Sequence, residues 1–234
     1  MVAGARGPAQ LPLELPVEPR FGRDDFLPAA CNRAALAMVE RWPDWPDRIL
    51  SLIGPPGSGK SHLLAIWAES AGALRVDPVT LPTLEALNAA APAAIVIDDV
   101  DRVRDETALF HLLNFAVEHR VFLLMSASRR PRPEDVRLPD LLSRLRRAPV
   151  VEIGAPDDEL MRAVLEKLFR DRQLIVDEPA LAYVSLRLER SLDAARALVA
   201  ALDREALARR RPITRALAAE VMERFSDHAA GSEE

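Results

Sequence analysis

The sequence predicts an α/β fold, in which a parallel sheet with flanking helices is followed by a small all-α domain. Up to Gly154, short apolar runs alternate with stretches of helical periodicity, and beyond it only helical periodicity remains. Alternating strands and helices are typical of a parallel sheet with right-handed crossovers. The change of pattern predicts a core domain over 21–154, a helical domain over 155–228, and tails over 1–20 and 229–234.

The predicted elements follow from the position and length of each apolar pattern. The predicted strands are 49–53, 74–76, 93–97, 121–126 and 150–153. The predicted helices are 30–40, 61–71, 84–90, 106–118 and 141–145 in the core, then 157–170, 178–188, 192–208 and 215–225. Asp157 and Thr214 are residue types that cap helix N-termini, so each predicts a helix start.

Composition narrows the classes of function. The 234 residues carry a formal net charge of −5, which argues against general binding of polyanions. The single cysteine, Cys31, excludes an internal disulfide framework. No apolar run reaches the roughly 18 residues of a membrane span, and no signal-peptide pattern opens the chain. We therefore expect a cytoplasmic protein without a membrane partner.

A phosphate-binding loop occupies residues 54–61, which read Gly-Pro-Pro-Gly-Ser-Gly-Lys-Ser and match G-x-x-x-x-G-K-[ST]. The motif follows a predicted strand and opens a predicted helix, which is the context it requires. The predicted nucleotide contacts in the loop are Pro55, Pro56, Gly57, Ser58, Gly59, Lys60 and Ser61. In such loops the lysine lies on the β/γ-phosphates and the final hydroxyl binds Mg²⁺. The sequence therefore predicts a bound nucleoside di- or triphosphate with Mg²⁺.

Acidic and polar residues follow two of the predicted strands. Asp98 and Asp99 end the run 93–97, where one carboxylate can hold Mg²⁺ and its neighbour can orient or deprotonate the attacking water. Ser126 and Ser128 end the next strand, and a hydroxyl there can contact the γ-phosphate or the attacking water. Ordinary turn serines are the alternative interpretation.

Arg144 lies on the short predicted helix at the edge of the core domain. An arginine there can reach into a neighbouring subunit's nucleotide site and stabilise charge in the transition state. From the residues alone, a surface ion pair is the simpler interpretation. Residues 128–147 hold seven arginines and three acids, a basic edge that could meet a partner's nucleotide, DNA or only solvent.

The order and spacing of these motifs resemble those of AAA+ ATPases, and in particular the DnaA-related group that includes the Hda regulators. Five segments carry the resemblance: the run Lys60-Ser-His62-Leu-Leu, the pair Phe26-Leu27 before Asn32-Arg33, and the stretches 138–144, 188–191 and 202–204. It covers about residues 10–225. The resemblance implies bound ADP or ATP, with Mg²⁺ held by Ser61 and Asp98. It also implies catalytic roles for Asp99 and Ser128. The further residues that it implies contact the nucleotide are Phe26, Leu27, His62 and Arg190.

Two features make the resemblance to the Hda regulators stronger than that to the initiator. The chain ends where the initiator's DNA-binding domain would begin, and the segment 10–15 resembles a sliding-clamp-binding motif. That motif implies clamp contacts through Gln10, Leu11, Leu13 and Leu15. The implied partners are the DNA polymerase III sliding clamp and the initiator DnaA. The resemblance implies that any contact with DNA is indirect or weak, and it is compatible with a homodimer. The implied role is negative regulation of replication initiation, in which Arg144 stimulates hydrolysis by DnaA and intrinsic hydrolysis is weak.

The sequence also departs from the family pattern. Asp193 stands where the family has a nucleotide-sensing lid arginine, so that Arg190 or Arg196 would have to substitute. Ser128 stands where the initiator has an acid. The prediction of intrinsic ATP hydrolysis is therefore less secure than the prediction of nucleotide binding. A helicase-loader-type ATPase is the alternative, and turnover stimulated by single-stranded DNA would favour it. A small-molecule kinase is a third hypothesis, for which no acceptor pocket is evident.

Overall fold

The structure, a computed structural model, describes residues 21–209 and 211–230, with side chains up to residue 225. Five strands form one sheet: β1 (Ile49–Ile53), β2 (Leu74–Val76), β3 (Ala94–Ile97), β4 (Phe122–Ala127) and β5 (Val150–Glu152). All pairs are parallel, in the order β2-β3-β4-β1-β5. The predicted parallel sheet is confirmed, and β4 lies between the strands that precede the phosphate loop and the acidic pair.

Nine α-helices connect and follow the strands in the part of the chain that the structure describes. They are α1 (Arg33–Glu40), α2 (Lys60–Ala71), α3 (Leu84–Ala90), α4 (Glu106–Glu118), α5 (Pro139–Arg147), α6 (Asp158–Asp171), α7 (Glu178–Arg187), α8 (Leu192–Arg209) and α9 (Arg215–Ala230). Two 3₁₀ turns lie at Arg23–Asp25 and Val100–Arg102. The α/β class is thus confirmed.

Both faces of the sheet are buried, which explains the continuous apolar runs of its strands. Leu50, Leu52 and Leu124 pack against α1 and α2 on one face, together with the stacked rings of Trp45 and Trp67. The opposite face packs against α3, α4 and α5. The result is a three-layer core that fixes the carboxyl ends of the strands.

The register brings three functional segments to one edge of the sheet. Ile53 pairs with Ala127, and Ile97 pairs with Met125. The phosphate loop, the acidic pair and the end of β4 therefore lie side by side. This is the edge at which open parallel sheets bind ligands.

The four helices after β5 bury a hydrophobic cluster of their own, and we call α6–α9 the lid. Asp157 caps α6 by accepting a 2.8 Å hydrogen bond from the Leu160 N–H, as the sequence predicts. One feature was not predicted: Val176 and Ile213 form a single parallel bridge within the lid. A bridge of one residue pair leaves no apolar run from which to predict a strand.

Most predicted boundaries lie within two residues of the observed ones, and two helices are longer. α5 extends beyond the predicted 141–145 because Pro139 suits the first turn of a helix. α9 extends past 225 to Ala230, two residues into the segment predicted as a tail. Within 21–209 and 211–230, no helix combines the length and apolarity needed to cross a membrane.

Candidate nucleotide site

The phosphate loop joins β1 to α2 with a backbone that two glycines make possible. Gly57 has φ +67° and Gly59 has φ +101°, both in the left-handed region that side chains disfavour. Helix α2 begins at Lys60, directly after this turn. The loop therefore curls around the positive end of a 12-residue helix, which is the geometry that binds phosphate.

Lys60 lies inside the loop. Its ammonium donates to the carbonyl oxygens of Gly54 at 2.8 Å and Pro55 at 3.0 Å, and the residue is only 6% exposed. Ser58 is also buried, and its Oγ has no hydrogen-bond partner among the described residues. A buried cation and an unpartnered hydroxyl in one loop are what an anionic ligand would complete.

The acidic pair is held in place by a serine on the neighbouring strand. The Ser126 hydroxyl donates to Asp98 Oδ1 at 2.5 Å and accepts the Asp99 N–H at 2.7 Å, and Ser126 is fully buried. Asp99 has φ +54°, a conformation tolerated by aspartate. Burial raises the pKa of the Asp99 carboxyl, and the Asp98 carboxylate raises it further, whereas Lys60 lowers it. That influence of Lys60 indicates that loop and acids share one electrostatic site.

The structure separates the two serines at the end of β4. Ser128, the predicted catalytic residue, is exposed, and both its N–H and its hydroxyl are hydrogen-bonded to Asp101. Ser126 instead contacts both acids. Ser126 lies within β4, whereas Ser128 follows the end of the strand at Ala127 and is therefore not held to the strand's geometry. The buried serine is the one that supports the acidic pair.

Phe26, Leu27 and His62 lie along one cavity between the start of the described chain and the lid. This lid cavity has a volume of about 240 Å³ and is closed on the lid side by α6 and α8. His62 Nε2 donates a 2.9 Å hydrogen bond to the Gly22 carbonyl, and the His62 ring contacts those of Phe21 and Phe26 edge to face. Burial lowers the pKa of His62, which favours the neutral ring.

The lid touches the phosphate loop directly. The Leu192 N–H donates to the Gly57 carbonyl at 2.8 Å, and the side chain of the buried Ser191 packs on Gly57. A Cβ on Gly57 would lie 2.0 Å from Ser191 Oγ, so glycine is required there for space as well as for its φ. The start of α8 thus covers the tip of the loop.

The structure places the two candidate lid arginines differently. Arg190 is exposed and pairs with Asp158 at 2.9 Å, and it is not among the residues that line the lid cavity. Arg196 lines that cavity and pairs with Asp193 at 2.9 Å. The predicted contact through Arg190 is not supported by this geometry, because Arg190 precedes α8 and turns toward α6.

Arg144 projects from α5 at the outer edge of the core. It is exposed, it has no ion-pair partner within the described ranges, and its guanidinium lies 5.4 Å from the centroid of the Phe110 ring. Other arginines of 128–147 are neutralised locally: Arg129 by Asp135, and Arg130 by Glu152.

The predicted clamp motif at 10–15 lies outside the described residues.

The residues present fit a nucleotide with Mg²⁺. Among the described residues, no three His, Cys, Asp or Glu side chains gather into a metal site. Mg²⁺ with a nucleotide requires only one or two protein ligands, because the phosphates and water supply the others. Asp98 and the exposed Ser61, at the start of α2, are the side chains that would hold it.

No protein-family model matches the sequence. Solved structures do match the fold. Domain III of the Thermotoga maritima replication initiation protein DnaA aligns with a TM-score of 0.71 at 20% identity, over 90% of this chain and 99% of that one. The R170A variant of Thermotoga maritima RuvB aligns with a TM-score of 0.63 at 16% identity, over 82% of this chain and 67% of that one.

A third structure, that of a DNA replication initiation factor, aligns with a TM-score of 0.64 at 18% identity, over 82% of this chain and 68% of that one. With the loop, the sheet order and the helical lid, these likenesses define the AAA+ fold. The fold is similar to that of DnaA domain III over nine-tenths of the chain. At these identities the likeness concerns the fold alone.

Sequence reasoning missed the contact between lid and loop and the ion pair that joins the lid to the start of the core. Lys167 Nζ lies 2.7 Å from Asp25 Oδ1 and 2.6 Å from Asp171 Oδ2. Lys167 is one of only two lysines in the chain, the other being Lys60. That scarcity was an available signal, but residues 142 positions apart give no pattern that predicts a contact.

Proposed function

We propose that this protein is a nucleotide-binding regulator of replication initiation that stimulates ATP hydrolysis by the initiator DnaA. It binds ADP or ATP in its own loop, with Mg²⁺ on Ser61 and Asp98. Its Arg144 completes the hydrolysis site of the partner. The DnaA-related fold supports the proposed link to replication.

The observation that carries this proposal is the environment of Arg144. An arginine that serves its own fold is usually paired or buried, whereas Arg144 is exposed and contacts one ring. α5 is anchored by the buried Leu141 and Leu145, so the helix presents Arg144 from a fixed position. A rigidly presented, unpaired guanidinium suits an anion supplied by a second molecule.

The chain's own site suits retention of a nucleotide more than rapid turnover. Bound Mg²⁺ would neutralise charge on the phosphates. Asp99 is positioned through its N–H by Ser126, and its raised pKa makes it a suitable group to accept a proton from water. Ser128 is hydrogen-bonded to Asp101, so the contact to the γ-phosphate or the attacking water that was expected from it is not available. Because a proton acceptor is present but this second contact is lacking, we propose weak intrinsic hydrolysis.

Clamp binding is a further part of the proposal and rests on the sequence alone. The segment with Gln10, Leu11, Leu13 and Leu15 would tether the protein to a clamp on DNA. Tethering raises the effective concentration of a regulator near its target without any new contact. A variant lacking residues 10–15 should lose co-elution with the clamp, and retained co-elution would contradict the tether.

The deciding experiment measures ATP hydrolysis by DnaA with clamp-loaded DNA, with and without this protein. Arg144→Ala should lower the stimulation about 10³-fold, the magnitude typical of arginines supplied in trans. Arg187→Ala is the matched control, because Arg187 also lies over an aromatic ring, that of Tyr183 at 4.2 Å, but on α7 of the lid. Undiminished stimulation by the Arg144 variant would refute the assignment.

A helicase-loader-type ATPase that acts on DNA is the second candidate. It is favoured by the basic edge, where the guanidinium groups of four arginines form no ion pair among the described residues: Arg137, Arg144, Arg146 and Arg147. Hydrolysis by the protein alone, measured with and without single-stranded DNA, separates the candidates. Strong stimulation by DNA without DnaA would favour the loader.

A further inference from the structure

The connection between β4 and α5, residues 128–138, contains no helix or strand, yet it leads directly into α5. Its two ends are fastened by carboxylates from one segment, 101–106, which follows the acidic pair. At the first end, Asp101 accepts hydrogen bonds from the N–H and the hydroxyl of Ser128. At the second end, directly before α5, the acceptor is Glu106. The position of α5 therefore depends on side chains outside that helix.

Glu106 holds the start of α5 with both of its carboxylate oxygens. The backbone nitrogen of Arg137 lies 3.0 Å from each oxygen, and that of Leu138 lies 2.8 Å from Oε2. Leu138 directly precedes the first turn of α5, and its own side chain supplies no capping hydrogen bond. Pro139, the next residue, has no N–H to donate. Glu106 thus binds, from another helix, the N–H groups of the two residues that lead into α5.

The helix that contains Glu106 does not depend on this carboxylate for its cap. α4 begins at Glu106, and Asp105 caps it by accepting a 2.9 Å hydrogen bond from the Ala108 N–H. An acid in the first turn can stabilise its own helix from an exposed position. Glu106 is instead partly buried, and its hydrogen bonds reach residues 31 and 32 positions further along the chain. This arrangement indicates a role in placing α5 beside α4.

The hydrogen bonds from Glu106 fix what the apolar contacts of α5 leave open. Leu141 and Leu145 hold one side of α5 in the core, but burial of apolar surface is non-directional. Hydrogen bonds to a carboxylate are directional and charge-assisted. Arg144 follows Leu138 by about 9 Å along the helix axis, so a tilt of about 6° at the start of α5 would displace it by about 1 Å.

We propose that Glu106 is a positioning residue for Arg144. It holds the start of α5 in place, so that the guanidinium reaches the partner's nucleotide in the reacting geometry. This inference rests on the proposed function, in which Arg144 completes the hydrolysis site of DnaA. A misplacement of about 1 Å can lower a reaction rate about 10²-fold. Loss of Glu106 should therefore slow the stimulated hydrolysis, whereas the side chains that dock the two proteins are unchanged.

The test titrates this protein into DnaA with clamp-loaded DNA, and it separates the maximal hydrolysis rate from the concentration that gives half of it. Glu106→Ala should lower the maximal stimulation about 10²-fold and leave the half-saturating concentration unchanged. Glu106→Gln keeps one acceptor oxygen and should lower the stimulation less. Hydrogen exchange at the Arg137 and Leu138 amides should be faster in both variants, and fastest in Glu106→Ala.

Two matched controls separate positioning from stability. Asp105→Ala removes the cap of the same helix, so it should lower the unfolding temperature but not the maximal stimulation. Glu134→Gln changes an exposed glutamate of the same edge, whose carboxylate lies 3.8 Å from Arg132, and should change neither quantity. If stimulation follows the unfolding temperature across all four variants, Glu106 supports only the fold and the inference is overturned.

The outcomes separate this inference from the function on which it rests. If the protein does not stimulate DnaA, or if Arg144→Ala stimulates as well as wild type, the proposed function is refuted and the inference with it. If Arg144→Ala lowers the stimulation but folded Glu106→Ala does not, only the role of Glu106 is refuted. Should Glu106→Ala fail to fold, Glu106→Gln takes its place in this comparison.

Two further results would contradict positioning through Arg144. A higher half-saturating concentration at an unchanged maximal rate would show that Glu106 serves docking instead. The double variant Glu106→Ala/Arg144→Ala should stimulate no less than Arg144→Ala alone, because Glu106 acts through that guanidinium. A further loss in the double variant would overturn the inference.

Discussion

The phosphate loop and the α5 edge both present a cation suited to phosphate, but they hold it in opposite ways. Lys60 is 6% exposed and is bound to two loop carbonyls, whereas Arg144 is exposed and contacts one aromatic ring. The loop contains the parts that surround a ligand. At the α5 edge, Arg144 lies outside the cavity that Leu141 and Leu145 of the same helix help to line. The first region can therefore bind phosphate within one chain, and the second requires a partner.

The largest loss of unfolding free energy should come from a substitution that disturbs the contact between the lid and the phosphate loop. Gly57→Ala introduces left-handed strain of about 1–2 kcal/mol and a Cβ that would lie 2.0 Å from Ser191 Oγ, so the lid must shift. We expect a loss of unfolding free energy above that strain, and faster hydrogen exchange at the Leu192 amide. Denaturant unfolding and hydrogen-exchange mass spectrometry measure the two effects.

Gly72→Ala is the matched control for Gly57→Ala. Gly72 also has a left-handed φ, +57°, but nothing lies within 4 Å of the position of its Cβ. It should show the strain alone, with the Leu192 amide unchanged. Adding Ser191→Gly to Gly57→Ala should restore part of the stability. Equal losses in the two alanine variants would show that the lid does not rest on the loop.

A smaller effect is expected from the serine that supports the acidic pair. Ser126→Ala leaves the Asp99 N–H and Asp98 Oδ1 without their buried partner, which should cost about 1–3 kcal/mol of unfolding free energy. Ser128→Ala removes only an exposed contact to Asp101 and should cost less. Chemical denaturation of both variants measures the difference. A larger loss in the Ser128 variant would reverse the assignment of the two serines.

The raised pKa of Asp99 predicts a pH dependence with a definite sign. A carboxyl whose pKa is higher in the folded than in the unfolded state opposes folding above the folded pKa, and this effect disappears below the unfolded pKa. Asp99→Asn should therefore raise the stability of the nucleotide-free protein at neutral pH. The gain should shrink as the pH falls toward about 4.

Thermal unfolding of wild type and Asp99→Asn between pH 8 and pH 4 tests this dependence. A part of the stability difference between the two proteins that does not change with pH reflects the replacement of a carboxylate oxygen by an amide nitrogen. This constant part is subtracted before the pH dependence is compared. A difference that stays constant across the range, or grows as the pH falls, would contradict the raised pKa.

The smallest effect on stability should come from the α5 edge. Arg144→Ala loses one exposed guanidinium–ring contact, which is worth about 0.5–1 kcal/mol at most. Arg48 is the comparison, because its guanidinium lies over Phe122 and also donates a 2.9 Å hydrogen bond to the Arg120 carbonyl. Arg48→Ala should therefore cost more in denaturant unfolding. A larger loss for Arg144→Ala would mean that Arg144 serves the fold and not a partner.

Local patterns determined much of this protein. The loop motif requires glycines, a lysine and a hydroxyl at fixed spacing because backbone geometry and phosphate charge demand them. The sheet follows from apolar runs alternating with helical periodicity, and helix α4 was predicted with its observed bounds, Glu106–Glu118. Asp98 and Asp99 were recognisable because two acids directly follow a buried strand. Each of these features is encoded in consecutive residues.

The tertiary structure decided the contacts between distant segments. Only the packing of the lid shows that Ser191 and Leu192 cover Gly57, that Arg196 and not Arg190 reaches the lid cavity, and that Ser126 rather than Ser128 supports the acids. Such choices depend on which side of a helix or strand faces a neighbour from elsewhere in the chain. Residue types alone do not fix that, because several similar side chains lie within a few positions of each other. The sequence by itself determined the phosphate-binding loop motif, and the fold decided which side chains surround that loop.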